Sequence, residues 1–264
     1  MCRMAAWLGE PRALSWMLHD APWSLQEQAY RPREMVTGTI NVDGTGVAWW
    51  DPMEPSAPPL RYVTTATPWA DANLGSLAPR LHSHLQLAAV RSASAGIPHG
   101  VNNVAPFCHA GHALAHNGFI EGFRTGTARA LRHRIDDDLV DAMDAVSDSL
   151  TLFMLVLSRL RQEGDLAAAV TRAFSDVAEI VGAHGVGASL NLVMADGTTL
   201  LATRGAIGHC TANSLYLQHS DEGTVLASEA LDEGPGWQPI PVDTGVVVTM
   251  DGVRPFSAVG AIPS

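Results

Sequence analysis

The feature that most constrains the fold of this sequence is a change in the spacing of its apolar residues, which occurs twice along the chain. Between residues 127 and 180 apolar side chains recur every three or four positions, as at Leu166, Val170 and Phe174, which is typical of helices. Before this region, and again from about residue 187, the period is close to two, which is typical of strands. Strands, helices and strands in this order predict an α+β fold in which helices cover sheets.

Turn and breaker residues add local predictions. Asp196-Gly197 between two strand-like segments predicts a hairpin turn, and the Pro-rich segment 51–68 predicts a surface loop. Residues 11–20 and 71–81 are each expected to contain a helix. The charge of −11 and the pI of about 5.3 argue against a nucleic acid or an anionic membrane as partner.

No apolar run approaches the roughly 20 residues of a membrane span. Three cysteines without motif spacing do not suggest a disulfide framework. We therefore expect a cytoplasmic protein with one domain over residues 1–264, and the sequence does not decide whether it forms a homo-oligomer.

One of the three cysteines stands at position two. If Met1 is removed, Cys2 carries a thiol and a free α-amine, which together are a nucleophile and its base. The alternative is that Cys2 only begins a buried strand, because the residues after it are apolar.

Three other stretches contain groups that suit catalysis or binding. Arg91 can hold a carboxylate through two hydrogen bonds, or can form a surface salt bridge. Asn117-Gly118 can supply two donors to an oxyanion, or can form a hairpin turn. Asp148 can bind an ammonium group, or can cap the helix that follows it.

The order of these stretches resembles the class II glutamine amidotransferases, which are N-terminal-nucleophile hydrolases. The resemblance covers residues 2–250 and is carried by Cys2 and by the motifs NVDGTG (41–46), VRSASAG (90–96), FCHAGHALAHNGFI (107–120), SDS (147–149) and ASEALDEGPGW (227–237). It implies a four-layer αββα sandwich. It also implies catalysis by Cys2, with Asn117 and Gly118 stabilising the oxyanion, and a substrate pocket formed by Arg91, Ser92, Ser94, His116, Asp148, Asn41 and Asp43.

The C-terminal motif is most similar to the branch that hydrolyses γ-glutamyl hercynylcysteine S-oxide in ergothioneine biosynthesis. The implied enzyme is an amidohydrolase that releases glutamate from a small γ-glutamyl substrate. The alternatives are a glutaminase subunit that supplies ammonia to a separate synthase chain, and an inactive relative that only binds. At two positions, Met4 and Thr45, the chain departs from this branch, and we expect both to affect the non-glutamyl part of the pocket.

We expect neither a cofactor nor a metal centre. His109, His112 and His116 are close in sequence, but they lack the helical i, i+4 pair with a carboxylate that marks a zinc site. Cys108 and Cys210 are expected to be buried, unreactive thiols.

The proposed base requires that Cys2 become the first residue. Cysteine is small, so we expect Met1 to be removed and the intact mass of active protein to lack one methionine. Active protein whose mass still includes Met1 would contradict a mechanism in which the α-amine of Cys2 moves the proton.

Overall fold

The computed structural model describes residues 2–35, 40–54, 57–93 and 97–258. In these residues the strands are β1 (Arg3–Ala13), β2 (Thr45–Trp49), β3 (Leu60–Thr64), β4 (His82–Val90), β5 (Phe107–His109), β6 (His112–Ile120), β7 (Ala188–Ala195), β8 (Leu200–Arg204), β9 (Ala206–Ile207), β10 (Tyr216–Ser220), β11 (Gly223–Ala227), β12 (Gln238–Pro239), β13 (Thr244–Thr249) and β14 (Gly252–Ser257). The α-helices are α1 (Leu25–Tyr30), α2 (Ala72–Leu77), α3 (Thr127–Arg132), α4 (Asp137–Asp141), α5 (Asp148–Glu163) and α6 (Leu166–Ala183).

The strands form two antiparallel sheets. The first has the order β12-β10-β11-β1-β4-β2-β3, so the N-terminal strand lies near its centre. The second has the order β14-β13-β8-β7-β6-β5, and β9 pairs with β7 beside it. Strand β1 is hydrogen-bonded on both sides, to β4 and to β11, which holds the start of the chain inside the sheet.

Three apolar cores separate the layers. One core lies between the two sheets, where side chains such as Met4 and Val193 meet. A second lies between the second sheet and the helices α5 and α6, and a third packs α1 and α2 against the outer face of the first sheet. The order helix, sheet, sheet, helix confirms the predicted αββα sandwich.

Two of the local predictions are confirmed and two are wrong in part. The segment 51–68, predicted to be a surface loop, contains strand β3 over Leu60–Thr64. Helix α2 lies inside the predicted segment 71–81, and Asp196-Gly197 joins β7 to β8. The predicted helix over 11–20 is wrong in its first half, because β1 continues to Ala13 and only Trp16–Asp20 are helical. The pairing register of β1 shifts between Leu8 and Arg12, and this irregularity accommodates Pro11, which has no N–H to donate.

The long helices α5 and α6 are separated by a two-residue break. Gly164 ends α5 in the left-handed conformation (φ 68°), and the side chain of Asp165 accepts a hydrogen bond from the Ala168 N–H at 2.8 Å to begin α6. Within the helical pair, Asp176 of α6 is buried and binds Arg159 of α5 at 2.6 Å. None of the helices in the described ranges is long and apolar enough to cross a membrane.

A buried ion pair lies where the chain enters the first sheet. The Arg3 guanidinium is fully buried, and its Nε lies 3.1 Å from a carboxylate oxygen of Glu229, which follows β11. Burial lowers the pKa of Arg3, and the negative charge of Glu229 opposes that shift. Glu229 also accepts the backbone N–H groups of Arg33 (2.9 Å) and Glu34 (3.1 Å). One carboxylate therefore connects the first residues of β1 to the segment that contains Arg33 and Glu34.

Replacement of Glu229 by alanine leaves the Arg3 charge buried without its partner. We expect Glu229→Ala to lower the free energy of unfolding in urea by about 3–5 kcal/mol. The matched control is Glu222→Ala, which removes the exposed partner of Arg12 and is expected to change stability by less than about 1 kcal/mol. Equal effects of the two substitutions would contradict this role for Glu229.

Candidate active site

The first residues of β1 and the residues after β4 come together at one end of the first sheet. Arg3 pairs with Val90, so Cys2 lies next to Arg91. The backbone of Arg91 is held by the segment before β2, because its N–H donates to the Gly44 carbonyl at 2.8 Å. The sheet topology therefore brings together the N-terminus, the segment before β2 and the residues after β4.

A pocket of about 540 Å³ of empty space, its open mouth included, lies at this end of the sheets. Six of the predicted site residues line it: Cys2, Arg91, Ser92, His116, Gly118 and Asp148. Three others are not among its lining residues: Asn41, Asp43 and Asn117. The remaining one, Ser94, lies outside the described residues.

Cys2 is half-buried, and its thiol faces the pocket. Its Sγ lies 3.9 Å from the carbonyl oxygen of Ser92, a long contact in which the thiol is the donor. At Cys108, burial raises the pKa of the thiol to about 11 and keeps it protonated at neutral pH. The prediction of an unreactive thiol at Cys108 agrees with that shift, although both Cys108 and Cys210 are only partly buried.

The backbone of Gly118 presents its N–H at an open edge of β6. Leu190, which lies opposite Gly118 in β7, donates its own N–H to Gly205 (2.8 Å) on the far side of β7, so the pair exchanges no hydrogen bond. The Gly118 N–H therefore points away from β7. Strand β5, on that side of β6, has only three residues and ends before this point. The Ile120 N–H points out from the same edge and donates to Asp148 at 3.1 Å.

Asp148 is the first residue of α5 and is 7% exposed. One carboxylate oxygen accepts the Ile120 N–H, and the other accepts the Ser149 N–H at 2.8 Å. These two bonds fix the carboxylate at the N-terminal end of α5, beside the pocket. The hypothesis that Asp148 caps the helix is wrong, since the N-cap is Ser147, whose side chain accepts the Leu150 N–H at 3.1 Å.

Arg91 brings a positive charge to the same pocket. Its side chain is 6% exposed, and its Nη2 donates to the Pro98 carbonyl at 3.2 Å. Its Nη1 is buried and has no acceptor among the described residues. A buried guanidinium donor without an acceptor is costly, so this atom is a strong candidate to bind a ligand anion.

His116 lies between these groups and is held from both sides. Its Nδ1 is 3.0 Å from the Ser149 hydroxyl, and its Nε2 is 3.0 Å from the Ser189 carbonyl. Burial lowers the pKa of His116, and the nearby Asp148 only partly opposes this effect, so the imidazole is neutral at pH 7. A neutral ring at this place positions Ser149 and does not add positive charge to the pocket.

Asn117 lies within a continuous strand, so the alternative of a hairpin turn at Asn117-Gly118 is wrong. Because side chains alternate along a strand, Asn117 faces the space between the sheets while His116 faces the helices. Its Nδ2 lies 3.5 Å from the Ser228 hydroxyl, which also accepts the Met4 N–H at 3.0 Å. Asn213 donates to the Asn117 carbonyl at 2.8 Å and holds it from the other side. Asn117 therefore lies beside the start of β1.

The two other predicted residues support the pocket from outside. Asp43 accepts the Ala93 N–H at 2.7 Å and so holds the segment that follows Arg91. Asn41 is buried against α1, where its N–H donates to the Ala29 carbonyl at 2.6 Å. Both hold backbone segments beside the pocket, and their predicted part in substrate binding stays a prediction.

Sequence reasoning missed three residues of this network, Ser149, Ser228 and Glu229. The last two lie in the motif ASEALDEGPGW, which the sequence analysis used only for its resemblance to a family. Glu229 could have been identified from the sequence, because it closely follows an apolar strand. A carboxylate in such a place is rarely buried without a partner. Met4 and Thr45 are both buried, and neither is among the residues that line the pocket. Their expected effect on the non-glutamyl part of the pocket stays a prediction.

The chain forms four layers, and a cysteine at the start of a central strand lines a pocket. These features define the N-terminal nucleophile type of hydrolase fold. The sequence matches the family described as "Glutamine amidotransferases class-II" over residues 17–217. The chain belongs to the class II glutamine amidotransferases, and the expectation of an enzyme from this family is confirmed.

Two curated relatives have the same printed name, gamma-glutamyl-hercynylcysteine sulfoxide hydrolase. The protein from Mycobacterium tuberculosis (strain CDC 1551 / Oshkosh) is 35% identical over 253 residues, which are 96% of this chain and 95% of that protein. The protein from Mycolicibacterium smegmatis is 36% identical and covers 91% of this chain and 92% of its own. A solved glutamine aminotransferase class-II domain protein from Silicibacter pomeroyi is 26% identical, with a TM-score of 0.72 over 98% of this chain and all of the other.

The close packing at Gly118 generates a prediction. A Cβ added there would lie 1.9 Å from the Ser189 carbonyl oxygen and 2.5 Å from His116 Nε2, so the backbone would have to move. We expect Gly118→Ala to lower the free energy of unfolding by about 1–3 kcal/mol or more. The control is Gly182→Ala in α6, where nothing lies within 4 Å and a gain of about 0.5–1 kcal/mol is expected. Equal stability of the two variants would contradict the packing described here.

Proposed function

We propose that this chain hydrolyses a γ-glutamyl amide bond, with Cys2 as the nucleophile. The observation that carries the proposal is that a thiol, an unshared strand-edge N–H and two opposite charges line one pocket. Hydrolysis of a γ-glutamyl amide requires such groups: a nucleophile, a donor to the oxyanion, and charges that bind the free α-carboxylate and α-ammonium groups. The two curated relatives, each matched over more than 90% of its length, support the same class of reaction.

In the proposed mechanism the Cys2 thiolate attacks the γ-carbonyl carbon. The α-amine of Cys2 accepts the thiol proton and then passes it to the departing nitrogen as the carbon–nitrogen bond breaks. A model α-amine has a pKa of about 7.7–8.0, which is close enough to neutrality for this exchange. A water molecule then attacks the thioester, which releases glutamate and restores the thiol.

The tetrahedral intermediate carries a negative charge on the former carbonyl oxygen. The Gly118 N–H, at the open edge of β6, is proposed as one donor to this oxygen, and the Asn117 side chain as the other. Loss of one such donor typically costs about 10²–10³ in rate. Asn117 Nδ2 is within 3.5 Å of Ser228, a contact that would be exchanged for the oxyanion during the reaction.

Recognition of the glutamyl group is assigned to the two charges in the pocket. The Nη1 of Arg91, which has no acceptor among the described residues, would bind the substrate α-carboxylate, and Asp148 would accept the α-ammonium group. Such a pair selects a glutamate whose α-amino and α-carboxyl groups are free and whose γ-carboxyl carries the amide. We therefore expect the enzyme to hydrolyse γ-linked glutamyl substrates in preference to α-linked ones.

For the particular substrate we propose γ-glutamyl hercynylcysteine S-oxide, whose hydrolysis adds one water and gives glutamate and hercynylcysteine S-oxide. This part rests on the names of the relatives and on their identity of 35–36% over nearly the whole chain. Hydrolysis would place the protein in ergothioneine biosynthesis. A glutaminase subunit, by contrast, would hydrolyse glutamine and require a synthase partner.

The test measures glutamate release from γ-glutamyl hercynylcysteine S-oxide, γ-glutamylcysteine and glutamine. We expect kcat/KM to be highest for the sulfoxide and Cys2→Ala to lower it by at least about 10³-fold, since loss of a hydrolase nucleophile costs on the order of 10⁶. Cys108→Ala, which removes a thiol away from the pocket, is expected to keep the rate. Glutamine as the best substrate would favour the glutaminase alternative, and release from none of the three would overturn the proposal.

The same assay tests the two charges. Arg91→Gln and Asp148→Asn each remove a charged hydrogen bond, and we expect each to lower kcat/KM by about 10–100-fold. Arg80→Gln and Asp144→Asn change exposed residues of the same types and are expected to have no effect. Melting curves of all four variants separate loss of binding from loss of folding. Unchanged kinetics in Arg91→Gln or Asp148→Asn would show that the pocket binds its substrate in another way.

A further inference from the structure

A second group of reactive side chains lies outside the pocket. Glu121 follows β6, and His209 and Cys210 follow β9. One ligand atom from each of the three residues lies within 4.8 Å of those of the other two. One pair joins His209 Nε2 to a Glu121 carboxylate oxygen at 3.0 Å. None of the three lines the candidate active site.

The three donors are a thiol, an imidazole and a carboxylate, the set that zinc binds in proteins. Three protein ligands and one open position are the usual arrangement when a fourth ligand comes from solvent. The imidazole side chain is 67% exposed and the Glu121 side chain 32% exposed, so one side of the cluster faces water. A metal ion can therefore enter without any movement of the core.

The backbone around the cluster allows the thiol to come close. A Cβ at Gly187 would lie 2.7 Å from the sulfur of Cys210, so only glycine leaves room for the thiol there. Gly208 has a φ of 69°, a left-handed turn that directly precedes His209. The Gly187 N–H also donates to Glu121 at 2.8 Å, the kind of outer hydrogen bond that orients a metal-binding carboxylate.

We propose that Glu121, His209 and Cys210 form a binding site for a divalent cation of the zinc type. The cation would replace the contact between Glu121 and His209, and the thiol proton would pass to solvent as the sulfur–metal bond forms. The bound ion would connect the end of β6 to the turn after β9. Glu121 directly follows Ile120, whose N–H holds Asp148, so the ion would stabilise the strand end next to the pocket.

The test uses untagged, chelator-treated Cys2→Ala protein, because a free N-terminal cysteine can itself bind metal. Cobalt(II) is titrated in, and thiolate–cobalt charge-transfer absorption is recorded in the near ultraviolet. We expect the band to saturate at one cobalt per chain and to disappear when zinc is added. Absence of the band would overturn the proposal and leave a cluster held by hydrogen bonds alone.

Three further changes in the same background assign the ligands. Cys210→Ser is expected to abolish the charge-transfer band, while Cys108→Ser keeps it. Glu121→Gln and His209→Gln are expected to weaken cobalt binding by at least about 10-fold. A band that survives Cys210→Ser, or that is lost in Cys108→Ser, would place the metal elsewhere.

A measurement on the unmodified chain covers the case in which a variant does not fold. Zinc is expected to slow alkylation of Cys210 by iodoacetamide, read from the mass of its peptide, and to raise the melting temperature. The Cys108 peptide from the same digest is the internal control. Equal alkylation of Cys210 with and without zinc would contradict the site. Neither readout uses the γ-glutamyl hydrolase assay, so the two proposals can fail independently.

Discussion

The candidate site depends on two constraints at the start of the chain. One is the ion pair between Arg3 and Glu229, and the other is the hydrogen bonding of β1 to a strand on each side. A nucleophile at the start of a chain would normally be the most mobile residue, because termini order poorly unless they are held. Here the next residue is completely buried and the strand is bonded on both sides. Sheet pairing and a buried charge together hold the second residue of the chain in a fixed position, as the proposed role of Cys2 requires.

Regular features were predictable from the sequence because they arise from local patterns. The spacing of apolar residues located α5, α6 and the strands around them, and Asp196-Gly197 located a turn. Residues 11–13 are strand and not helix because pairing of β1 with β4 outweighed local preference. Asn117-Gly118 likewise has strong turn propensity, yet its neighbours on both sides belong to a long paired strand.

The sequence predicted that several residues now found in one pocket belong together, but it did not predict the geometry of that pocket. Cys2, Arg91 and Asp148 were identified through their residue types and their order, and they do line one pocket. The division between pocket-lining residues and residues that support them was not predictable, since it depends on which face of a strand a side chain takes. Ser228 and Glu229 show the same limit, because their partners are more than 100 positions away in sequence.

The shortness of β5 has a consequence for how the pocket recognises its ligand. Beyond Leu114, no strand in the described part of the chain pairs with β6 on that side, so β6 presents backbone donors as the edge of a sheet. Edges of this kind bind extended peptides by adding a strand. Here Asp148 accepts one of these donors, the Ile120 N–H, and Gly118 on the same edge lines the pocket. The short length of β5 therefore leaves a backbone donor at the candidate site that a longer strand would have taken up.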